Sequence, residues 1–198
     1  PAMISDLIEN HRDMVVAVTV RGKVFSVAGC ADLVRPMWTH ALAVGYWAKE
    51  IARHRRDNVE SAFLCGLLHD IGNPVVLQAI QEIQRDQSVR YPRRVLESAM
   101  QHFHGVIGGA LVGGWNMPEA VIESIYYHHD YRAAGAPKPM AMVVQLADLL
   151  SEWLGIGHGV ARSREEIEAA PVIDDLNLYP DDLERLFAYP WLPGASIS

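Results

Sequence analysis

The chain has 198 residues and a mass of 22.0 kDa, and half of its residues are apolar, which is enough to bury one sizeable core. Seventeen basic and twenty-four acidic residues leave a formal net charge of −7, which argues against a protein that binds nucleic acid broadly through its phosphates. Nine histidines stand out, because histidine is not among the commonest residues of globular domains.

Apolar residues at three- and four-residue spacing predict a chain of helices. The first segment is rich in Val and resembles a strand, but no other segment offers it a partner strand, so we predict a helix there as well. Helices are expected over residues 14–25, 36–55, 59–68, from 73 onward, 95–103, 106–115, 118–129, 140–154, 164–169 and 179–188. The predicted fold class is therefore all-α, a compact multi-helix bundle that forms one domain.

Several helix ends carry recognisable signals. Gly72 is expected to stop the helix that begins at residue 59, and Asn73 to cap the next helix before Pro74. Asn116 and Glu119 resemble a capping box for the helix that ends near residue 129. The tryptophans Trp38, Trp47 and Trp115 are interpreted as core residues.

The cysteines and the terminal sequence bear on the compartment. Cys30 and Cys65 form neither a C-x-x-C pair nor a disulfide framework, which favours a reducing cytoplasm. No apolar run approaches the roughly 20 residues that span a bilayer, and the first residues lack the apolar region of a signal peptide, so no membrane partner is expected. Pro1 and Ala2 before Met3 are typical of a tag remnant, and we take residues 3–198 as the domain.

Polar residues stand where the helical register calls for apolar ones. They are His40, the adjacent His69 and Asp70, and Asp148. A buried carboxylate is costly unless it is paired, hydrogen-bonded or bound to a metal. Because residues 140–154 contain no Lys or Arg, histidine or a metal ion is the expected partner of Asp148.

A further histidine, His104, and the neighbouring His128 and His129 enlarge this set. Five imidazoles and two carboxylates are a mixed nitrogen and oxygen set that suits Fe, Mn, Zn or Ni rather than Ca. The predicted metal ligands are His40, His69, Asp70, His104, His128, His129 and Asp148, which would hold one or two divalent ions. Two such ions would suit the hydrolysis of a phosphoester. Each histidine taken alone also fits a core residue that is hydrogen-bonded to the backbone.

The motifs resemble those of the HD superfamily of metal-dependent phosphohydrolases, and more closely those of the HDOD domain, the HD-related output domain of bacterial signalling proteins. The resemblance covers roughly residues 14–187 and suggests that the upstream part of the family domain is shortened or missing. It rests on five blocks: Trp38 to Ala41, Ala62 to Gly72, Glu97 with His104 to Leu111, Trp115 to Pro118, and His128 with His129.

The resemblance implies a regulatory domain that acts through a signalling protein partner or an attached domain and retains an HD metal site. The alternative is an active phosphohydrolase or phosphodiesterase on a nucleotide, with His69 and Asp70 as catalytic residues and a small phosphate or nucleotide as ligand. A metal-free interaction module is the third hypothesis. No nucleic-acid partner is implied.

Three departures from the HD-GYP phosphodiesterases argue against hydrolysis of cyclic di-GMP. Asn73 stands where those relatives carry a lysine, and Pro36 stands where some carry a glutamate that binds a third metal. A Gly-Tyr-Pro motif is missing after His129. The remaining histidines, His11, His54, His102 and His158, are expected at the surface, as is the arginine group Arg90, Arg93 and Arg94.

Overall fold

The structure is a computed structural model that describes residues 24–133, 138–157 and 161–189. Within these residues the chain is helical and contains no strand, as the sequence predicts. The helices are α1 (Ala31–Arg55), α2 (Val59–Leu68), α3 (Gly72–Asp86), α4 (Arg93–Gly114), α5 (Glu119–Tyr127), α6 (Pro139–Trp153), α7 (Arg164–Glu168), α8 (Pro171–Asp175) and α9 (Pro180–Phe187). The helix expected over residues 14–25 lies almost wholly outside the described residues.

The long helix α1 is the centre of the bundle, and it packs against α2 on one side and α6 on another. Helices α3 and α4 pair with each other, and α5 bridges α4 and α6. Two apolar clusters fill the interior: one surrounds Trp47, Ile51 and Leu150, and the other surrounds Trp38 and Leu67. Because α1 contributes to both clusters, it fixes the arrangement of the helices around it.

The stretch Val59–Asp86 is apolar enough by composition to pass for a membrane span, contrary to the sequence reading. It is broken into α2 and α3 by the turn at residues 69–71, and 72% of its most apolar window is buried inside the bundle. Burial of this kind is typical of the core helices of a soluble protein.

The two helices predicted over residues 95–103 and 106–115 form one continuous helix, α4, and several glycines lie inside it. Each glycine costs a helix roughly 1 kcal/mol relative to alanine, but here the missing side chains allow close packing. A Cβ on Gly108 would meet the backbone nitrogen of Gly72 at 3.1 Å, and a Cβ on Gly109 would overlap the Tyr126 ring. The close packing of α4 against α3 and α5 therefore outweighs the low helix propensity of its glycines.

Two predicted caps and one predicted core residue are wrong. Helix α3 already begins at Gly72, so Asn73 lies within its first turn and donates its backbone N–H to the carbonyl of Asp70. Asn116 adopts a left-handed φ of 53° after α4, and α5 is capped by Pro118 without any side-chain bond. Trp115 follows the last residue of α4 and is 44% exposed, whereas Trp38 and Trp47 are buried as predicted.

Candidate metal centre

Five of the seven predicted ligands line one cavity of about 590 Å³, namely His40, Asp70, His104, His129 and Asp148. The other two, His69 and His128, lie beside them in the same two groups of ligand atoms. Helix α1 supplies His40, the turn between α2 and α3 supplies His69 and Asp70, and α4 supplies His104. His128 and His129 directly follow α5, and Asp148 lies on α6. Five separate parts of the fold therefore contribute side chains to one centre.

The turn that carries His69 and Asp70 depends on a close helix crossing. Backbone bonds from Ile71 to Leu68 and from Asn73 to Asp70 wind the chain from α2 into α3 with little interruption. A Cβ on Gly72 would lie only 2.0 Å from the carbonyl oxygen of His104, so the backbones of α3 and α4 touch at this point. This contact brings His104 against Asp70.

The first group of ligand atoms comprises His40, His69 and Asp148, whose donor atoms all lie within 4.8 Å of one another. Nε2 of His40 is 3.1 Å from Oδ1 of Asp148, and the rings of His40 and His69 are 5.1 Å apart. Burial opposes a charge on His40, but the hydrogen bond to Asp148 and the negative charges of Asp148 and Asp70 together outweigh it and raise the pKa of His40 to about 9. Burial likewise opposes a charge on Asp148, but the same hydrogen bond and the attraction of His40 and His69 together lower the pKa of Asp148 to about 2. Without a metal this pair is therefore an ion pair.

The second group comprises Asp70, His104, His128 and His129. Nε2 of His104 lies 3.3 Å from Oδ1 of Asp70, 3.2 Å from Nε2 of His128 and 3.1 Å from Nε2 of His129. The first three side chains are buried, whereas His129 faces the solvent side of the cavity. Oδ2 of Asp70 faces the first group, 3.7 Å from Nε2 of His69. Asp70 thus contacts both groups through different oxygens.

Backbone carbonyls fix the orientation of four of the five imidazoles. Nδ1 of each ring donates to a carbonyl oxygen, at 2.7 to 3.0 Å, and the pairs are His40 with Ile156, His69 with Gly66, His104 with Met100 and His128 with Ile125. A carbonyl can only accept, so Nδ1 carries a proton in each of these rings, and a neutral ring presents the lone pair of Nε2 to the cavity. His40 does so once it loses the Nε2 proton that it donates to Asp148. This is the arrangement that metal-ligating histidines adopt.

The spacing of the donor atoms agrees with ligation of one ion by each group. Metal–nitrogen bonds of about 2.0 to 2.1 Å place neighbouring ligand atoms about 3.0 Å apart in octahedral and about 3.4 Å apart in tetrahedral geometry. The observed separations of 3.1, 3.2 and 3.3 Å around His104 fall in this range, as does the 3.1 Å between His40 and Asp148. Two Nε2 lone pairs at such distances repel each other unless a cation or a proton lies between them. The residues present therefore fit a metal.

The electrostatics of the buried groups also favour ligation. Burial alone would raise the pKa of Asp70, but attraction to His69 and the neighbouring imidazoles holds it well below its usual range, so Asp70 is a carboxylate. Burial lowers the pKa of His69, and it lowers that of His128 further, with the nearby His69 adding to the effect. A neutral imidazole and an ionised carboxylate are the forms that bind metals.

The structure adds residues that the sequence reading missed. Asn73, interpreted there as a cap, is buried and lines the cavity together with Met37, Met100 and Gln101. Gln145 on α6 donates to the carbonyl of His129, which ties the end of α5 to the helix that carries Asp148. A search for helical periodicity in the sequence does not find these residues, because amide side chains and backbone carbonyls form no distinctive sequence pattern.

The residues set aside from the site lie apart from it where the structure describes them. His54 pairs with Asp182 at 2.7 Å, and His102 is exposed beside Phe103; His11 and His158 fall outside the described residues. Of the arginine group, only Arg93 lines the cavity. Glu97 at 2.7 Å and Asp32 at 3.6 Å hold it at the mouth.

Comparison with known proteins gives three findings. The model of the HDOD domain family matches residues 8–131. An uncharacterized protein of Treponema pallidum (strain Nichols) is 32% identical over 134 residues, which cover 62% of this chain and 26% of that protein. The crystal structure of an HDOD domain protein of unknown function from Geobacter sulfurreducens has a similar fold, with a TM-score of 0.56 and 22% identity over 78% of this chain and 57% of that one.

The chain thus spans about a quarter of the first relative and little more than half of the second. The family match covers more than half of the chain and ends before Asp148, so the ligand on α6 lies beyond the matched region. The order of the blocks, the helical fold and the family match agree, and the chain belongs to the HDOD domain family.

Proposed function

We propose that this chain is a regulatory HDOD domain that holds one or two divalent transition-metal ions in its HD centre. One observation carries the proposal: backbone carbonyls bind Nδ1 of four imidazoles and direct the four Nε2 atoms toward two ionised carboxylates. Bonds to backbone carbonyls would also suit unrelated core histidines, but such residues would not direct their Nε2 atoms toward the same two carboxylates. Ordered ligands held by backbone acceptors are typical of a metal site.

Each group of ligand atoms holds one ion in this proposal. His40, His69 and Asp148 form the first site, and Asp70, His104, His128 and His129 form the second, with Asp70 bridging the two through its separate oxygens. The mixture of imidazole and carboxylate favours Fe, Mn, Zn or Ni. Calcium is disfavoured because it prefers six to eight oxygen ligands.

The proposed regulatory role rests on the family to which the chain belongs. We infer that the domain acts on a signalling protein or on an attached domain, because it belongs to the family of HD-related output domains. The free, buried thiols of Cys30 and Cys65 support a cytoplasmic location. The net charge of −7 argues against a nucleic-acid partner.

The size of the cavity supports a second candidate, a metal-dependent phosphohydrolase. About 590 Å³ is within the range of small-molecule sites, and the cavity reaches both ligand groups. Bound ions would supply an activated water and positive charge for a phosphoester. In that case Asp70 and His69 hold and orient the ions, Arg93 at the mouth faces the anionic ligand, and Met37 and Met100 contact its apolar part.

Metal analysis followed by turnover assays separates these candidates. The purified protein is analysed for Fe, Mn, Zn and Ni, loaded with Mn or Fe, and assayed on cyclic dinucleotides, cyclic mononucleotides and nucleoside phosphates. The regulatory proposal predicts stoichiometric metal without turnover. Turnover that His69→Ala together with Asp70→Ala abolishes would establish the enzyme instead.

The same experiment tests the metal site itself. His102→Ala is the matched control, because His102 is exposed on α4 two residues from His104 and lies outside both ligand groups. This variant should retain the metal that the double variant loses. Protein that never takes up stoichiometric metal would overturn both candidates and leave the metal-free interaction module.

A further inference from the structure

Helix α4 has two contrasting faces. Its inward ridge, formed at every fourth position by Met100, His104, Gly108 and Val112, is buried and carries the ligand His104. Its outward ridge is formed by the residues two positions further along, His102, Val106, Ala110 and Gly114, and all four are exposed. The same helix therefore presents the metal centre on one side and an open surface on the other.

The outward face of α4 is apolar and carries no charge. Residues 98–118 contain no Asp, Glu, Lys or Arg, in a chain in which 21% of residues are charged. Large side chains protrude along this face, with Phe103 48% and Val106 62% exposed. Tyr126, 41% exposed, lies over Gly109 and widens the surface. Contiguous exposed apolar surface of this kind marks interaction sites in soluble proteins.

The charge of the chain indicates which kind of molecule binds the outward face of α4. Two copies of a chain with a net charge of −7 repel each other over most of their surfaces. The outward face of α4 is a surface across which two copies can meet without bringing like charges together. An oppositely charged partner would gain nothing from this face, because it offers no charge to pair with.

The shape of the ridge also fits a second copy. Two identical helices that cross antiparallel about a twofold axis near residue 108 pair position 106 with position 110, and position 102 with position 114. A Cβ on Gly114 would meet nothing within 4 Å, and one on Gly113 would meet only Ile122 at 4.0 Å. The bulky half of one ridge, with Val106 and Phe103, therefore meets the small half of the other.

The area is sufficient for a dimer of modest affinity. The exposed parts of Phe103, Val106 and Tyr126 amount to about 250–300 Å² per copy, given the 150–250 Å² that an aromatic side chain can bury. The polar and small residues between them, along the roughly 33 Å of a 22-residue helix, add to this. Together they approach the roughly 1,000 to 1,200 Å² total of the smaller specific interfaces.

We propose that the outward ridge of α4, His102, Val106, Ala110 and Gly114 with the flanking Phe103, binds the same ridge of a second copy in an antiparallel homodimer. The pairing is independent of the metal proposal, but it places the interface on the opposite side of the helix that supplies His104.

Sedimentation equilibrium over a range of protein concentrations tests the pairing. The protein should form dimers, and Val106→Glu should shift the monomer–dimer equilibrium at least 100-fold toward monomer, because it places two like charges at the axis. Ile83→Glu on α3 is the matched control: Ile83 is 43% exposed, and its variant should dimerise like the parent. Circular dichroism of both variants verifies that they fold. A parent protein that stays monomeric, or equal dimerisation of both variants, overturns the proposal.

Disulfide trapping tests the antiparallel register. His102→Cys protein mixed with Gly114→Cys protein should cross-link between copies, since the twofold axis brings these positions together. His102→Cys protein alone should not, because the axis separates its two copies by about 18 Å along the helix. Efficient cross-linking of His102→Cys alone contradicts the antiparallel arrangement. An intrachain bond is impossible in either variant, because each carries one new thiol and the native Cys30 and Cys65 are buried.

Discussion

Gly72→Ala should break the second metal site without touching any ligand. A methyl group at Gly72 would lie 2.0 Å from the carbonyl oxygen and 2.7 Å from the Cα of His104, whereas Cβ atoms in proteins essentially never approach another atom within 3.0 Å. Helices α3 and α4 must therefore separate by about 1 Å or more, at a cost of about 1–3 kcal/mol for overpacking. His104 moves with α4, away from Asp70.

The displacement is large on the scale of metal coordination, in which ligand distances are held to about 0.2 Å. We expect the second group to lose at least 10- to 100-fold in metal affinity, the range seen when supporting residues are changed. The first group should bind as before, since α1, α2 and α6 hold His40, His69 and Asp148. Isothermal titration with Mn or Zn should then show one strong site per chain instead of two.

Gly114→Ala is the control for this experiment. It makes the same change in the same pair of helices, but a Cβ at Gly114 meets nothing within 4 Å. This variant should bind both ions normally. If Gly72→Ala also binds two ions with unchanged affinity, then contact between the backbones of α3 and α4 does not set the ligand geometry, and the reasoning is refuted.

Three further predictions follow from the geometry of the centre. His104→Ala should remove the second ion and spare the first, and His40→Ala should do the reverse; simultaneous loss of both ions in either variant, measured by metal analysis, would contradict two separable sites. Metal binding should expel a proton from His40, whose pKa is raised to about 9 by Asp148, so affinity should increase about tenfold per pH unit from pH 7 to 9 and then level off. Titration calorimetry in buffers of different ionisation enthalpy detects this proton, and equal heats in all buffers would count against it. Removing metal with a chelator should lower the Tm by about 5–10 °C, since an ion at 100 times its Kd contributes about 2.7 kcal/mol; an unchanged Tm in scanning calorimetry would show that the ions do not stabilise the fold.

The sequence predicted the helical fold and the convergence of the ligands for a physical reason. Side chains such as His40 and Asp148 interrupt apolar helix faces, and the cost of burying them demands partners from other helices. The family motifs then show in which order these polar residues are expected along the chain. The helix register indicates only part of the predicted ligand set, His40, His69, Asp70 and Asp148. The remaining imidazoles, His104, His128 and His129, are further candidates, and the sequence gives no distance between any of these residues.

Other features depend on groups that leave little trace in the sequence. The carbonyls of Ile156, Gly66 and Met100 orient the imidazoles, and any residue type provides a carbonyl. Helix α4 was predicted as two helices, whereas the packing of its glycines against α3 and α5, which supports one continuous helix, is a property of the tertiary structure. Asn73 was assigned to a cap for the same reason, since its burial in the cavity follows from where α3 begins.

The metal centre is the central claim, and anomalous diffraction tests it most directly. Crystals grown with Mn or Zn and measured at the corresponding absorption edge should show two peaks per chain, about 3.5–4 Å apart. One peak should lie among His40, His69 and Asp148, and the other between Asp70 and His104. Peaks at other surface sites only, or a map without any peak in this cavity at saturating metal, would contradict the account.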